Sequence, residues 1–158
     1  MKKMAISIFL AAVLLLIYHH RIDLSYWILQ WKYKGTVEFY SAKIVVPCGL
    51  IYQNTDKMLF FYRWDDLSSR LEFSKFELSK EQLAGVLGFY RTKGYEVIGC
   101  KDIRFKQYNA YEITYVDDAW IYTNQILIPD KSLIITYSGN KNNFNMYQGI
   151  IESMTWVE

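Results

Sequence analysis

The residues of this 158-residue chain best suited to chemistry are two histidines and two cysteines. His19 and His20 are adjacent and lie near the N-terminus, so residues 21–158 contain no histidine. A Ser-His-Asp triad, a Cys-His pair and a histidine-bearing zinc site each require an imidazole. The sequence therefore excludes these three kinds of site from residues 21–158.

Cys48 and Cys100 are the only two cysteines. In an oxidising compartment a disulfide is the expected state where the geometry allows it. Each cysteine lies beside a glycine in or near a predicted strand, which permits a close approach. A Cys48–Cys100 bond would close a loop of about 50 residues and stabilise the fold by about 4 kcal/mol in the chain-entropy model. The alternative is two separate buried thiols that behave as small hydrophobic side chains.

Two acidic pairs, Asp65-Asp66 and Asp117-Asp118, have the chemistry for general acid–base catalysis or for calcium binding. Both pairs follow predicted strands, where aspartate commonly stabilises turns, and neither has the spacing of a calcium loop. We therefore interpret both as turn residues. A carboxylate-dependent hydrolase would instead need two of these groups, or Glu112, to face each other across one cleft.

Residues 1–34 have the composition of a membrane segment. Lys2 and Lys3 precede an uncharged run over residues 4–20, close to the lower limit for spanning a bilayer. The residues just after its aliphatic centre at 6–17, namely 18–23, lack the small side chains of a signal-peptidase site, which favours an uncleaved signal anchor over a cleaved signal peptide. By the positive-inside rule, Lys2 and Lys3 keep the N-terminus in the cytoplasm and the domain is exported. The expected location is the periplasmic face of a bacterial inner membrane.

The segment after the apolar run predicts an amphipathic helix at the membrane surface. Its apolar residues recur at the spacing of one helical face, and lysines flank them: Leu24, Trp27, Ile28, Trp31, Lys32 and Lys34. Tryptophan beside lysine is typical of the membrane–water interface. The alternative is that this stripe packs on the domain's own core.

Charge is unevenly distributed along the chain. Residues 1–34 hold five Lys and Arg against one Asp, a net charge of +4, whereas residues 35–158 hold thirteen against fifteen, a net charge of −2. An acidic, exported domain is a poor match for nucleic acid, whose binding depends on positive charge. No nucleic-acid partner is therefore expected.

Residues 35–158 predict one exported α+β domain, with an antiparallel sheet packed against two helices. The first helix begins at Ser79, where Ser79 and Gln82 form a capping box, and ends at Gly94. The apolar run 132–137 is expected to be the central strand. The other strands are predicted over residues 36–40, 43–47, 50–53, 58–64, 71–78, 95–105 as one bent strand or two, 109–116 and 120–128.

This order of elements ends in a helix that closes with Ile150-Ile151-Glu152-Ser153-Met154-Thr155-Trp156. As topology over residues 36–158, it resembles the PsbP-like fold group. That group includes the extrinsic photosystem subunit, a Ran-binding nuclear-import protein, DcrB-like envelope proteins and the Eag-type chaperones of type VI secretion. The resemblance implies a binding or assembly module rather than an enzyme, and it assigns no role to any individual residue.

Aromatic residues make up 18% of the chain, more than one small core can hold. Some must reach the surface, where Tyr and Trp anchor protein interfaces. The interface candidates are Tyr62, Trp64, Tyr108, Trp120 and Tyr122. Together these features predict a membrane-anchored, non-enzymatic protein-binding module without a cofactor, whose partners are a protein and the lipid bilayer.

The sequence leaves the protein partner open between two classes. The module would serve either as an accessory subunit of an envelope complex or as an immunity protein that neutralises an exported toxin. Two other functions remain as alternatives. One is a cell-wall hydrolase that uses paired carboxylates, and the other is a carrier that holds an apolar ligand between sheet and helix.

Overall fold

The computed structural model describes residues 9, 10, 12–16, 18, 28, 31–33, 35–63, 66–76, 80–117 and 119–157, without the side chains of residues 80–84 and 87. The described residues before residue 34 are helical. Among all the residues described, no helix combines the length and the apolar character that crossing a membrane requires. Most of the predicted anchor at residues 4–20 lies outside the described residues.

From residue 35 onward the described chain forms ten strands and two α-helices. The strands are β1 Gly35–Phe39, β2 Ala42–Val46, β3 Leu50–Asn54, β4 Met58–Arg63, β5 Asp66–Lys75, β6 Glu96–Phe105, β7 Tyr108–Val116, β8 Tyr122–Ile128, β9 Leu133–Gly139 and β10 Thr155–Trp156. The helices are α1 Lys80–Thr92 and α2 Phe144–Ser153. Short 3-10 turns at Pro129–Lys131 and Lys141–Asn143 lead into β9 and α2.

The strands form two antiparallel sheets. Seven pair in the order β3-β4-β5-β9-β8-β7-β6, and the smaller sheet has the order β1-β2-β10. The apolar strand β9 occupies the fourth of the seven positions, the central place that its composition predicts. Its alternate residues Leu133, Ile135 and Tyr137 are buried, because a strand presents every second side chain to the same face. The predicted α+β class is confirmed, with two sheets in place of one.

The main core lies on one side of the seven-stranded sheet, which we call the inner face. The small sheet and α2 pack there, and the core residues include Ile44 of β2, Phe61 of β4 and Ile150 of α2. On the opposite outer face, Val86 and Tyr90 of α1 pack against a smaller cluster on β7 and β8. The domain therefore has three layers, with the large sheet in the middle.

The upper end of the seven-stranded sheet is the end at which β3, β5, β6 and β8 begin. Strand β1 finishes at the lower end, where Asn54 at the end of β3 donates its side-chain amide to the carbonyl oxygen of Glu38 and the Tyr40 hydroxyl donates to the carbonyl oxygen of Asp56. Its first residue, Gly35, pairs with Val46, and only residues 47–49 separate Val46 from the start of β3. Gly35 therefore lies near the upper end, and the chain enters the domain there.

The predicted Cys48–Cys100 disulfide is wrong in this fold. Cys48 lies two residues before β3 and Cys100 lies within β6, and these strands form opposite edges of the seven-stranded sheet. A disulfide needs Cα atoms roughly 4.4–6.8 Å apart. Neighbouring strands are about 4.8 Å apart, and six such spacings separate the two edges of this sheet, so the two cysteines are too far apart to bond. Both side chains are exposed rather than buried.

Residues 95–105, predicted as one bent strand or two, contain one strand, β6 at Glu96–Phe105, with a bulge at Ile98 that shifts the pairing with β7. Leu71 and Phe73 of β5 face the main core, while Phe76 joins the cluster under α1. Ordinary alternation accounts for this difference, because Phe76 is an odd number of positions from Phe73. The predicted capping box falls on residue 79 and the side chain of residue 82, outside what the structure describes.

Candidate functional site

A groove of about 860 Å³ crosses the upper end of the large sheet, and we call it the upper groove. It combines aromatic, apolar, hydroxyl and cationic side chains from four strands and the segments that connect them. Its lining consists of Leu67, Ser68, Arg70, Tyr95, Tyr115, Asp117, Trp120, Ile121, Tyr122, Thr123, Ser138, Gly139, Asn140 and Lys141.

The turn between β7 and β8 forms one wall of the upper groove. The Asp117 carboxylate accepts hydrogen bonds from the backbone N–H groups of Ala119 and Ile121 at 3.0 and 2.9 Å. The N–H of Trp120 donates to the carbonyl oxygen of Asp117 at 2.9 Å. These bonds fix Trp120 in a left-handed backbone with φ of 61°, and its side chain is 84% exposed.

The opposite wall is built where β5 begins. Asp66 accepts hydrogen bonds from the N–H of Ser68 at 3.0 Å and from the side-chain amide of Asn143 at 2.9 Å. A hydrogen bond from the Ser68 hydroxyl is the main reason that the pKa of the Asp66 carboxyl lies below its ordinary value. Asp66 and Asp117 thus both stabilise turns, as the sequence predicts. Asp65 and Asp118 lie outside the described residues.

Buried Ser69 ties this wall to α2. The Tyr147 hydroxyl donates to the carbonyl oxygen of Ser69 at 2.8 Å, and the N–H of Asn140 donates to the Ser69 hydroxyl at 3.3 Å. Ser69 and Tyr147 are both fully buried, so these bonds replace water that neither residue can reach. The start of β5 and the segment that leads into α2 are therefore held as one unit.

Ionisation of Tyr147 is expected to destabilise the domain at high pH. Burial raises the pKa of the Tyr147 phenol to about 12, above the unfolded value of about 10. Because the folded state favours the neutral phenol, its stabilisation is complete below pH 10 and is lost as the pH rises towards 12. Urea unfolding at several pH values should show the free energy of unfolding falling over this interval. Tyr147→Phe should reduce the slope, and equal slopes for the two proteins would contradict the assignment.

Three tyrosines join α1 to the floor of the upper groove. The rings of Tyr95 and Tyr115 are stacked with centroids 5.2 Å apart, and Tyr90 of α1 stacks on Tyr115 at 4.6 Å. The Tyr90 hydroxyl donates to the side-chain carbonyl of Gln125 at 2.5 Å. Burial raises the pKa of both Tyr90 and Tyr115, so both remain neutral phenols at physiological pH. The rings of Tyr95 and Tyr115 thus line the groove, and the ring of Tyr90 packs behind them.

Glu112 lies in a cross-strand network on β6, β7 and β8. Its carboxylate forms an ion pair with Lys101 at 2.8 Å and accepts a hydrogen bond from the amide of buried Asn124 at 2.8 Å. Of the carboxylates that a hydrolase would use, Asp66, Asp117 and Glu112 thus each have structural partners. Within the described part of the chain, no three His, Cys, Asp or Glu side chains are grouped so that they could hold a metal ion.

A second, shallower groove of about 350 Å³ lies on the outer face beyond α1, and we call it the face groove. It is lined by Gln53, Phe60, Tyr62, Leu67 and Arg70. The Arg70 guanidinium carbon lies 5.9 Å from the centre of the Phe60 ring. Because Leu67 and Arg70 also line the upper groove, the two grooves share one wall.

The structure separates the five interface candidates. Tyr62 lines the face groove, while Trp120 and Tyr122 line the upper groove. Tyr108 lies at the lower end, where its ring packs edge-on against Trp156 at 5.3 Å and the Lys131 ammonium nitrogen lies 4.8 Å above it. Trp64 lies outside the described residues.

Few of the predicted membrane-contact residues are described. Lys2, Lys3, Trp27 and Lys34 lie outside the described residues. Trp31 is helical and 80% exposed, and the Lys32 ammonium nitrogen lies 5.5 Å from the centre of the Tyr33 ring. The Tyr33 ring in turn meets Tyr52 of β3 edge-on at 5.2 Å. The helical residues before the domain are thus in contact with it beside β3.

Several groove residues cannot be recognised from the sequence. Leu67, Arg70 and Lys141 have no motif around them, and Leu67 and Lys141 are 74 positions apart. They meet because β5 pairs with β9, and Arg70 lies opposite Ser138. The pairing of strands, rather than any local pattern, assembles the groove.

No known family model and no curated protein significantly matches this chain. Among solved structures, it is similar to the solution structure of cyanobacterial PsbP (CyanoP) from Synechocystis. The TM-score is 0.52 at 11% sequence identity, and the match covers 73% of this chain and 86% of that chain. At this identity the likeness establishes the fold alone. The chain therefore has a PsbP-like fold.

Proposed function

We propose that this chain is a membrane-anchored, non-enzymatic module that binds a partner protein on the outer face of its large sheet. The observation that carries the proposal is the incomplete cover of that face. Helix α1 packs over β7 and β8, whereas Phe60 and Tyr62 of β4 and Arg70 of β5 line an open groove beside it.

The chemistry of the face groove favours a protein ligand. Phe60 and Tyr62 are half-buried aromatic side chains on a rigid sheet, so they can bury more area on binding with little loss of conformational freedom. Arg70 lies against the Phe60 ring and offers several hydrogen-bond donors. Aromatic and arginine side chains of this kind dominate the energy of protein interfaces. The groove suits a partner segment that presents an apolar side chain next to a carboxylate.

The anchoring and the location are proposed on the sequence of residues 1–34. Their positive N-terminus, uncharged run and Trp-rich amphipathic stripe favour a signal anchor with the domain on the periplasmic side of a bacterial inner membrane. In that position the partner is either another subunit of an envelope complex or an exported toxin that the module neutralises.

Site-specific photo-crosslinking tests this proposal. A benzoylphenylalanine at Tyr62, in the full chain within its native membranes, is expected to give one discrete protein adduct. The control is the same photo-crosslinker at Tyr40, an aromatic side chain that is 52% exposed at the lower end. Failure of Tyr62 to give an adduct, or equal adducts from both positions, would contradict the proposed surface.

The identified partner then allows a quantitative measurement. We expect Phe60→Ser and Arg70→Ser each to weaken its binding by roughly tenfold or more, since central interface side chains contribute about 1–2 kcal/mol or more. Met58→Ser, at the other end of the same strand, serves as the matched control and should bind as the unaltered chain does. Unchanged dissociation constants for both groove variants would reject the groove as the binding surface.

A further inference from the structure

We infer that the upper end of the domain contacts the lipid bilayer directly, through Trp120 and Leu67. The inference rests on the proposed anchoring and adds to it an orientation of the domain and a second point of membrane contact. The chain enters the domain at this end, where Gly35, the first residue of β1, pairs with Val46.

Exposure of large hydrophobic side chains is greatest at this same end. Among the large hydrophobic residues described from residue 35 onward, Trp120 and Leu67 are the two most exposed, at 84% and 72%. Both line the upper groove, from opposite walls. Ile121, beside Trp120, is 38% exposed. The most exposed large apolar side chains of the described domain therefore lie where an anchored domain is nearest to the bilayer.

The turn that carries Trp120 is held in a fixed shape. Three backbone N–H groups, those of residues 119 to 121, donate to Asp117. They hold Trp120 in a left-handed backbone, which a residue with a β-carbon adopts only when its surroundings impose it. The turn thus holds the indole ring at the exterior in a fixed place.

The chemistry of the upper end matches a bilayer interface. Tryptophan and leucine are the side chains that amphipathic membrane segments insert among lipid headgroups. Charges of both signs lie at the upper end: Arg70 and Lys141 line the groove together with Asp117, and Arg63 lies close enough to Asp66 to lower the pKa of its carboxyl. Burial of apolar area therefore supplies the attraction, and the contact should depend little on salt or on lipid charge.

Spin-label depth measurement on the full chain in liposomes tests this inference. The label is placed at Ala119→Cys, next to an unaltered Trp120, and the control label at Lys57→Cys in the lower turn, with Cys48 and Cys100 replaced by serine in both. We expect the ratio of oxygen to nickel-chelate accessibility to be severalfold higher at position 119 than at position 57. Adding Trp120→Ser and Leu67→Ser to the Ala119→Cys chain should abolish the difference.

The possible failures are distinguishable. A chain that remains with the liposomes on flotation, with position 119 as open to the nickel chelate as position 57, would overturn the inference and leave the anchoring intact. Low accessibility of position 119 to both oxygen and the nickel chelate would indicate that protein rather than lipid covers this position. That result would also overturn the inference. A chain that fails to float with the liposomes would overturn the anchoring and the inference together.

Discussion

Replacing Gly139 with alanine is expected to lower the free energy of unfolding by about 3 kcal/mol or more. Gly139 ends β9, where it lies against β5 with φ of +148°. A β-carbon at this position would lie 2.5 Å from the Ser69 hydroxyl oxygen and 2.6 Å from the Ser69 Cα. The hydroxyl can rotate away, but the Cα belongs to the backbone of a paired strand, so one strand must move. The left-handed φ adds strain for any residue other than glycine.

The consequence extends beyond one contact, because Ser69 holds neighbouring groups in place. Its carbonyl oxygen accepts from Tyr147 and its hydroxyl accepts from Asn140, so displacing Ser69 breaks the link between β5 and α2. Urea unfolding of the full chain in mild detergent, followed by near-UV circular dichroism, measures the loss. The alanine chain should also lose the shape of the upper groove.

Gly149→Ala is the matched control for this substitution. Gly149 lies on an exposed position of α2, and a β-carbon there would meet no atom within 4 Å. Alanine is the better helix former by roughly 0.5–1 kcal/mol, so this variant should be slightly more stable than the unaltered chain. Equal unfolding midpoints for the two alanine variants would contradict the close contact between β5 and β9.

Two adjacent phenylalanines on β4 are expected to respond oppositely to replacement. Phe61 is fully buried and packs against Phe73 with ring centroids 5.8 Å apart, so Phe61→Ala should cost about 3–5 kcal/mol of stability. Phe60 lies on the outer face in the face groove, and Phe60→Ala should cost less than about 1 kcal/mol. The same urea titration measures both.

The affinity for the partner protein should also distinguish the two variants. Phe60→Ala should retain its fold and lose affinity for the partner, while Phe61→Ala should bind only to the extent that it remains folded. If Phe60→Ala is as unstable as Phe61→Ala, the assignment of Phe60 to the open face is incorrect. If neither affects stability, β4 does not belong to the core.

The elements of the fold were largely predictable because each has a local cause. Alternating or continuous apolar runs predict the strands, and Gly94 ends α1 where the sequence places it, since glycine accepts its φ of 82° without strain. The strand β9 is central because its composition suits burial on both faces. The turn roles of Asp66 and Asp117 likewise follow from their positions at strand ends.

The candidate site was only partly predictable. Trp120 and Tyr62 could be named as interface residues from composition, and both line grooves. Tyr108 lines a smaller groove of about 270 Å³ at the lower end, where its ring packs against Trp156 in the C-terminal strand. Leu67 and Arg70 had no signal at all. The difference arises because the exposure of a side chain depends on which strand lies next to it in the fold. A short segment of sequence does not show which strands those are.

The Cys48–Cys100 prediction shows the same limit. The two cysteines each met the local conditions for a bond, with a glycine beside them and a strand nearby. Their separation depends on the order of seven strands, in which β3 and β6 occupy opposite edges. Strand order is decided by the packing of the whole sheet against its two covering layers, so no local pattern around either cysteine could exclude the bond.

The amino-acid sequence by itself determined three things about this protein: the α+β class, the approximate positions of β1 to β9 and of the two helices, and the lack of histidine chemistry beyond residue 20. These follow from propensities and spacings within a few residues. The sequence did not predict β10, because residues 155 and 156, which form that strand, were predicted as the end of the last helix. The tertiary structure alone decided which face of β4 is open, that Leu67 and Trp120 line the same groove at the upper end, and that the cysteines lie apart. Each of these depends on contacts between residues distant in the chain, which only the packing of the sheets brings together.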